Sequence, residues 1–170
     1  DDGTDTLEIG KGSAHGTTTH MTFDTNGIIS MPLQSAASVH LASTQTVATA
    51  TWTKLALATE KYDKNNDFDS STNYRFTVPV DGIYFVTVNA SFALTAGNDA
   101  AVAIYKNGAE NNLRFDVPGR NGGHFNINVT AILDLDATDY IEFYVFHNEG
   151  SDDTINSSTA RTYAMIHKLA

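Results

Sequence analysis

The chain has 170 residues, no cysteine and a single tryptophan, and its 20 acidic against 10 basic side chains give a formal charge of −10. Such a surface repels phosphate backbones and anionic lipid, which argues against nucleic-acid partners and electrostatic membrane docking. Disulfides are ruled out, and no run approaches the ~20 apolar residues of a membrane helix, so no membrane insertion is expected.

The length suits one domain with a short extension. Gly, Asn, Thr and Asp are plentiful and no long stretch repeats every 3.6 residues, which predicts an all-β chain. Residues 1–34 stand apart. Leu7 and Ile9 alternate with polar neighbours, Gly10-Lys11-Gly12 and His15-Gly16 interrupt, Met21 and Phe23 alternate again, and Asp24-Thr25-Asn26-Gly27 forms a turn before Ile28. Two or three strands this short cannot build a core alone. They are expected to pack on the next domain or wind with copies of themselves, a flexible leader being the alternative. The string HMTFDTNGIISMPLQ, residues 20–34, resembles segments that precede carboxy-terminal domains in bacteriophage fibre and other virion-surface proteins. That resemblance implies a trimeric shaft ending in 1–34 and a head over 35–170. The opening Asp1-Asp2-Gly3 reads as a piece of something longer.

From Thr44 to Leu57 one or two strands are expected, with Trp52 a core or interface residue. Residues 63–73 read as a polar loop. Tyr74 to Val88 then gives a strand, a turn at Pro79-Val80-Asp81-Gly82, and a longer strand rich in β-branched and aromatic residues. The spacing of Phe76, Gly82 and Tyr84, with Asp63 and Phe68 upstream and Leu57 six residues before Asp63, is similar to the signature of C1q-like domains, relatives of the tumour necrosis factor fold. Phe68 to Phe76 is one residue longer than the family pattern, and Val86 and Val88 stand where aromatics are usual. The resemblance covers about residues 35–170 and implies a jelly-roll β-sandwich of two antiparallel sheets, about ten strands in all, assembled as a homotrimer.

Ala101 to Tyr105 runs into Lys106-Asn107-Gly108, an Asn-Gly hairpin turn also common in C1q-like domains. Asn112 to Val117 is a further strand. Phe125, Ile127, Val129, Ala131, Leu133 and Leu135 alternate with polar residues, the mark of a half-buried strand. The strand after the Asp134–Asp139 turn is apolar on both faces: Ile141, Phe143 and Val145 on one, Tyr144 and Phe146 on the other. A sandwich covers only one. The second is expected to meet a neighbouring subunit, a loop or extension of the same chain being the alternative. The last strand, Thr162 to Leu169, opposes Tyr163 and Met165 to Ala164 and Ile166. Tyr144, Phe146 and Tyr163 are the predicted trimer contacts.

Asp63, Asn65, Asp67 and Asp69 set oxygen ligands at alternate positions, as calcium loops do. An EF-hand, however, needs Gly at the sixth position and Glu at the twelfth, where this chain has Phe68 and Tyr74. Asp152 and Asp153 form a second acidic loop. Solvated loops are expected at both, with calcium the one ion to test and no other cofactor. The six histidines, His15, His20, His40, His124, His147 and His167, lack the His-x-His spacing of a metal jelly roll and read as surface or interface residues. Nucleophile elbows, phosphate-cradling glycine loops and zinc-protease pairs are missing, so no enzyme is expected. The glycosylation-type triplets at Asn89, Asn128 and Asn156 read as chance matches.

The resemblances together imply a trimeric virion-surface or tail-fibre head that attaches to a host-surface receptor, a glycan or an outer-membrane component. The expected contacts lie in loops 65–71, 118–123 and 148–154, with Asn65, Asn66, Arg120, Asn121, Asn148 and Asp152 the candidates. The alternatives are a secreted C1q-like recognition module, a bacterial surface-filament tip, or a purely structural trimerisation or decoration knob.

Overall fold

A computed structural model describes residues 7–12, 19–94, 97–119 and 123–170. The chain separates into two compact units, Asp1–Gln34 and Ser35–Ala170.

The first unit is a three-stranded antiparallel sheet of β1 (Leu7–Gly10), β2 (Thr19–Phe23) and β3 (Ile29–Ser30). The β2–β3 turn is fastened by Asp24, whose carboxylate accepts from the Asn26 and Ile28 amides at 2.9 and 2.8 Å. None of its described residues is buried, and Leu7, Ile9, Ile28, Ile29, Met31 and Leu33 are all exposed.

The second unit opens with β4 (Ala36–His40), β5 (Gln45–Val47), β6 (Thr53–Lys54), β7 (Thr59–Asp63), β8 (Phe68–Asp69) and β9 (Arg75–Thr77). It continues with β10 (Gly82–Leu94), β11 (Ala100–Lys106), β12 (Ala109–Val117), β13 (Gly123–Leu135), β14 (Tyr140–His147), β15 (Asp153–Ile155) and β16 (Tyr163–Lys168). One sheet has the order β13-β10-β16-β4-β7, the other β12-β11-β14-β9-β8 with β6 added on β14, and β15 pairs with β5. All pairings are antiparallel. This is a jelly-roll sandwich, as the sequence predicts.

Alternation explains the core. Tyr84, Val86, Val88, Ala90 and Phe92 of β10 face Val102, Ile104, Ile141, Phe143 and Val145 of the other sheet in one buried cluster. At the β11–β12 turn Asn107 and Gly108 both have positive φ, 55° and 77°, as an Asn-Gly hairpin turn demands. Gly82 has φ 153°, and a Cβ there would sit 2.2 Å from the Ala170 carbonyl oxygen. The closing strand end is held at that point, with Ile83 N donating to Ala170 O and Leu169 N to Ile83 O.

Several elements differ from the sequence reading. β7 is a strand where no element was predicted, β15 falls in the second acidic loop, and β8 falls inside the predicted 63–73 loop. His147 is fully buried, not a surface residue: Nε2 lies 2.9 Å from the Val47 carbonyl, and the Glu149 amide donates to Nδ1. Its side chain ties β14 to β5, a pairing that sequence spacing does not reveal. Asn89 is also buried, with Nδ2 donating to the Arg161 carbonyl, so its triplet is closed to modification.

Candidate functional site

Register defines two outer faces. On the six-stranded sheet one outward row is Asp116, Ala101 and Phe146, and the next is Arg114, Ala103, Tyr144 and Lys54. Tyr105 follows, opposite Glu110 and Glu142. Trp52, just before β6, reaches Phe146 at 5.5 Å and Tyr105 at 6.1 Å between ring centroids, and Tyr105 stacks on Tyr144 at 4.0 Å. Four aromatic rings thus form one patch. Ala101 and Ala103 point to this outer face yet are 1% and 0% exposed, because the larger side chains beside them close over them.

Charges rim the patch in pairs. Lys54 Nζ meets Glu142 at 2.8 Å, Lys106 meets Asp139 at 2.6 Å, and Arg114 meets Asp116 at 2.9 Å and Glu110 at 3.4 Å. The Arg75 guanidinium lies 4.4 Å over the Tyr140 ring. Burial, aided by the Glu110 charge, raises the Tyr105 phenol, and burial and Glu142 raise Tyr144, so both stay protonated donors at neutral pH.

The five-stranded face is different. Its rows are Ile132, Phe85, His167 and Ala36; then Thr130, Thr87, Met165 and Ser38; then Asn128, Asn89, Tyr163 and His40. Thr87 bonds Thr130 at 2.8 Å, and Asn128 Nδ2 donates to Thr87 Oγ1 and the Val88 carbonyl, so the centre is a satisfied polar ladder. Apolar exposure lies at both edges of this sheet, Tyr62 on β7 being 41% exposed. Ile132 on β13 is 65% exposed and Phe115 on the adjoining β12 is 55% exposed, with Met165 further in at 37%.

The predicted trimer contacts therefore do not share a surface. Tyr144 and Phe146 lie on the six-stranded face, half-buried against Tyr105 and Trp52 of their own chain, while Tyr163 lies on the five-stranded face. Trp52 belongs to the outer patch and not to the buried core. Sequence reasoning missed Tyr105 and Arg114, whose place in the patch depends on pairing with β14 and on the β11–β12 hairpin.

The acidic loops spend their carboxylates on backbone. Asp63 accepts from the Asp67 and Phe68 amides at 3.1 and 2.8 Å. Asp69 accepts from the Ser71, Thr72 and Asn73 amides and from Asn73 Nδ2, and these bonds, Thr72 first, hold its carboxyl far below the ordinary range. Asp67, raised chiefly by burial, accepts from Ser35 Oγ. Asn66, Asp67 and Asp69 line a cleft of about 480 Å³ with Glu60, Ser70 and Pro79. Asp152 accepts from Thr49 N at 3.3 Å, and Asp153 from Thr154 N at 2.6 Å. Among the described residues no three His, Cys, Asp or Glu side chains are grouped to hold a metal ion.

The receptor-loop candidates divide as well. Asp99 joins two of the loops, accepting from Gly119 N at 2.8 Å and from Asn148 Nδ2 at 2.9 Å. Asn65 and Asn66 sit at the other end of the sandwich, where Thr77 N donates to Asp67 O and Val78 N to Asp139 O. The length of β14, roughly 23 Å, separates the two ends. Arg120 and Asn121 lie outside the described residues.

No family model matches the chain. The uncharacterized protein YqcC of Bacillus subtilis is 28% identical over 109 residues, 61% of this chain but 30% of YqcC, so the match spans under a third of that relative's length. Among solved structures, Eiger TNF from S. frugiperda aligns with a TM-score of 0.60 at 14% identity, covering 81% of this chain and 93% of Eiger. Murine APRIL at pH 5.0 aligns at 0.60 and 13%, covering 80% and 99%. The globular domain of zebrafish complement 1qA aligns at 0.51 and 19%, covering 79% and 95%. At these identities the likeness is one of fold: the chain has the TNF-like jelly roll shared by C1q globular domains.

Proposed function

We propose that the chain is a homotrimeric recognition head with no catalytic role. The observation that carries this reading is the open edge of the sandwich, where Phe115 and Ile132 stand exposed on the two adjoining edge strands. Large apolar side chains left exposed on edge strands invite cover by another chain. A contact in which this edge meets a different part of the neighbouring copy is head-to-tail, and such contacts close into rings where the rotation between copies allows. The trimeric jelly roll implied by the C1q-like signature fits that geometry. The sheet of the first unit, none of whose described residues is buried, gains a core by winding with two copies, which suits a shaft.

The narrower reading is a virion-surface or tail-fibre head that attaches to a host-surface receptor. It is supported by the resemblance of residues 20–34 and by the avidity three copies of one site supply. Light scattering tests the assembly: about 55 kDa, three times 18.3 kDa, is expected, and a particle of 18.3 kDa overturns the trimer. Binding of the labelled trimer to intact cells separates a recognition head from a purely structural knob.

A further inference from the structure

We propose that the aromatic patch on the six-stranded face is a sugar-binding platform for neutral hexopyranose oligosaccharides, with Trp52 and Phe146 as its floor and the stacked Tyr105–Tyr144 pair beside them. This deepens the recognition reading and rests on it only for avidity, since each subunit carries a whole platform.

Three observations select this ligand. First, the rings pack over buried alanines, Ala101 beside Phe146 and Ala103 beside Tyr144, so the floor is broad and shallow. A pyranose presents a flat face of C–H groups with partial positive charge, which suits the negative faces of aromatic rings. Second, hydrogen-bonding groups ring this floor. Among the described residues neither the Tyr105 nor the Tyr144 hydroxyl has a hydrogen-bond partner, and neither is a buried unsatisfied group, so both face water. Arg114 with Glu110 and Asp116 adds a fork of donors and acceptors suited to vicinal hydroxyls.

Third, charge argues against an anionic sugar. Lys54, Lys106 and Arg114 are already paired with carboxylates, and the whole chain carries −10. Among the described residues the face has no exposed large aliphatic side chain beside the rings, unlike the Ile132 edge, so a second copy of the chain is a poorer fit here than there.

Trp52 is the sole tryptophan, so its emission reports the platform directly. The intact chain is titrated with maltohexaose, cellohexaose and galactohexaose, with an oligogalacturonate as the anionic probe, and the mass of the same sample is recorded. A saturable change in Trp52 emission with at least one neutral hexasaccharide is expected. Tyr144→Ala should weaken it at least tenfold, and so should Arg114→Ala, which alters an exposed side chain and leaves the stack intact. Silence with every neutral sugar, unchanged affinity in both variants, or binding of oligogalacturonate alone overturns the platform. A trimer that binds no neutral sugar overturns the platform and leaves the head standing. A monomer that binds one overturns the trimer and leaves the platform.

Discussion

Across the six-stranded sheet an outward row runs Asp116, Ala101, Phe146 and on to Trp52, whereas on the five-stranded sheet a comparable row runs Ile132, Phe85, His167 and Ala36. Both contain large apolar side chains in outward positions, but they are handled differently. On the first face rings stack on rings from the same chain and keep polar tips at the water. On the second, apolar side chains such as Ile132 stand exposed at the sheet edge, beside a ladder of Thr and Asn whose bonds are already made. An apolar surface served from within is free to receive a ligand. An apolar surface left at an edge calls for another copy.

The most direct way to break this contrast is a crossed pair of substitutions. Ile132→Asp places a charge in the proposed contact between copies and should lower the mass from about 55 to 18.3 kDa while Trp52 emission stays as it was. Tyr144→Ala should do the reverse, shifting Trp52 emission and leaving the mass intact. If Tyr144→Ala dissolves the trimer, the roles of the two faces are exchanged.

A second test sharpens the six-stranded face. The Glu142 carboxylate is buried there and among the described residues pairs with Lys54, whose own side chain is 31% exposed. Lys54→Met strands a buried charge. Losing one member of a fully buried pair costs 3–5 kcal/mol, and the partial exposure of Lys54 reduces this to about 2–3 kcal/mol. Chemical denaturation measures it, and a loss below about 1 kcal/mol would show that Glu142 is solvated. On the other face the corresponding change is smaller. Thr87→Val removes the bonds to Thr130 and Asn128, but Asn128 keeps the Val88 carbonyl and both partners reach water, so about 0.5–1 kcal/mol is expected.

How much of this the sequence disclosed follows from the range of the signals. β10 and β13 alternate over many residues, β14 and β16 carry apolar residues on both faces, and the Asn107-Gly108 turn is set by two adjacent residues, so all were readable. β4 and β7 were not. Ala36–His40 is buried on both faces, and Thr59–Asp63 is a polar edge strand, so neither alternates, and both exist through pairing with distant partners. The two-sided character of Tyr144 and Phe146 was legible. Their cover was not, because Trp52 lies some ninety residues earlier and reaches them only after β6 pairs with β14. The acidic loops look like metal ligands in sequence because aspartates that cap turns and aspartates that bind calcium share the same spacing.

The smallest expected effect concerns the turn that closes the lower end of the six-stranded face. Asp139 accepts from Asn107 Nδ2 at 2.7 Å and from Asp136 N at 2.9 Å, and pairs with Lys106. Burial alone would raise its carboxyl, but the bonds from Lys106, Asn107 and Asp136 together lower it. A carboxyl depressed in the folded state adds stability that is complete above the unfolded value of about 3.9 and is lost as pH falls through the lower folded value. Stability should therefore fall as pH drops below about 4, and Asp139→Asn should flatten that part of the acid limb while changing little at pH 7 beyond the lost Lys106 pairing. Denaturation midpoints between pH 2 and 7 check this, and an acid limb of equal slope in the variant would assign the acid sensitivity to other carboxylates, Asp69 first among them.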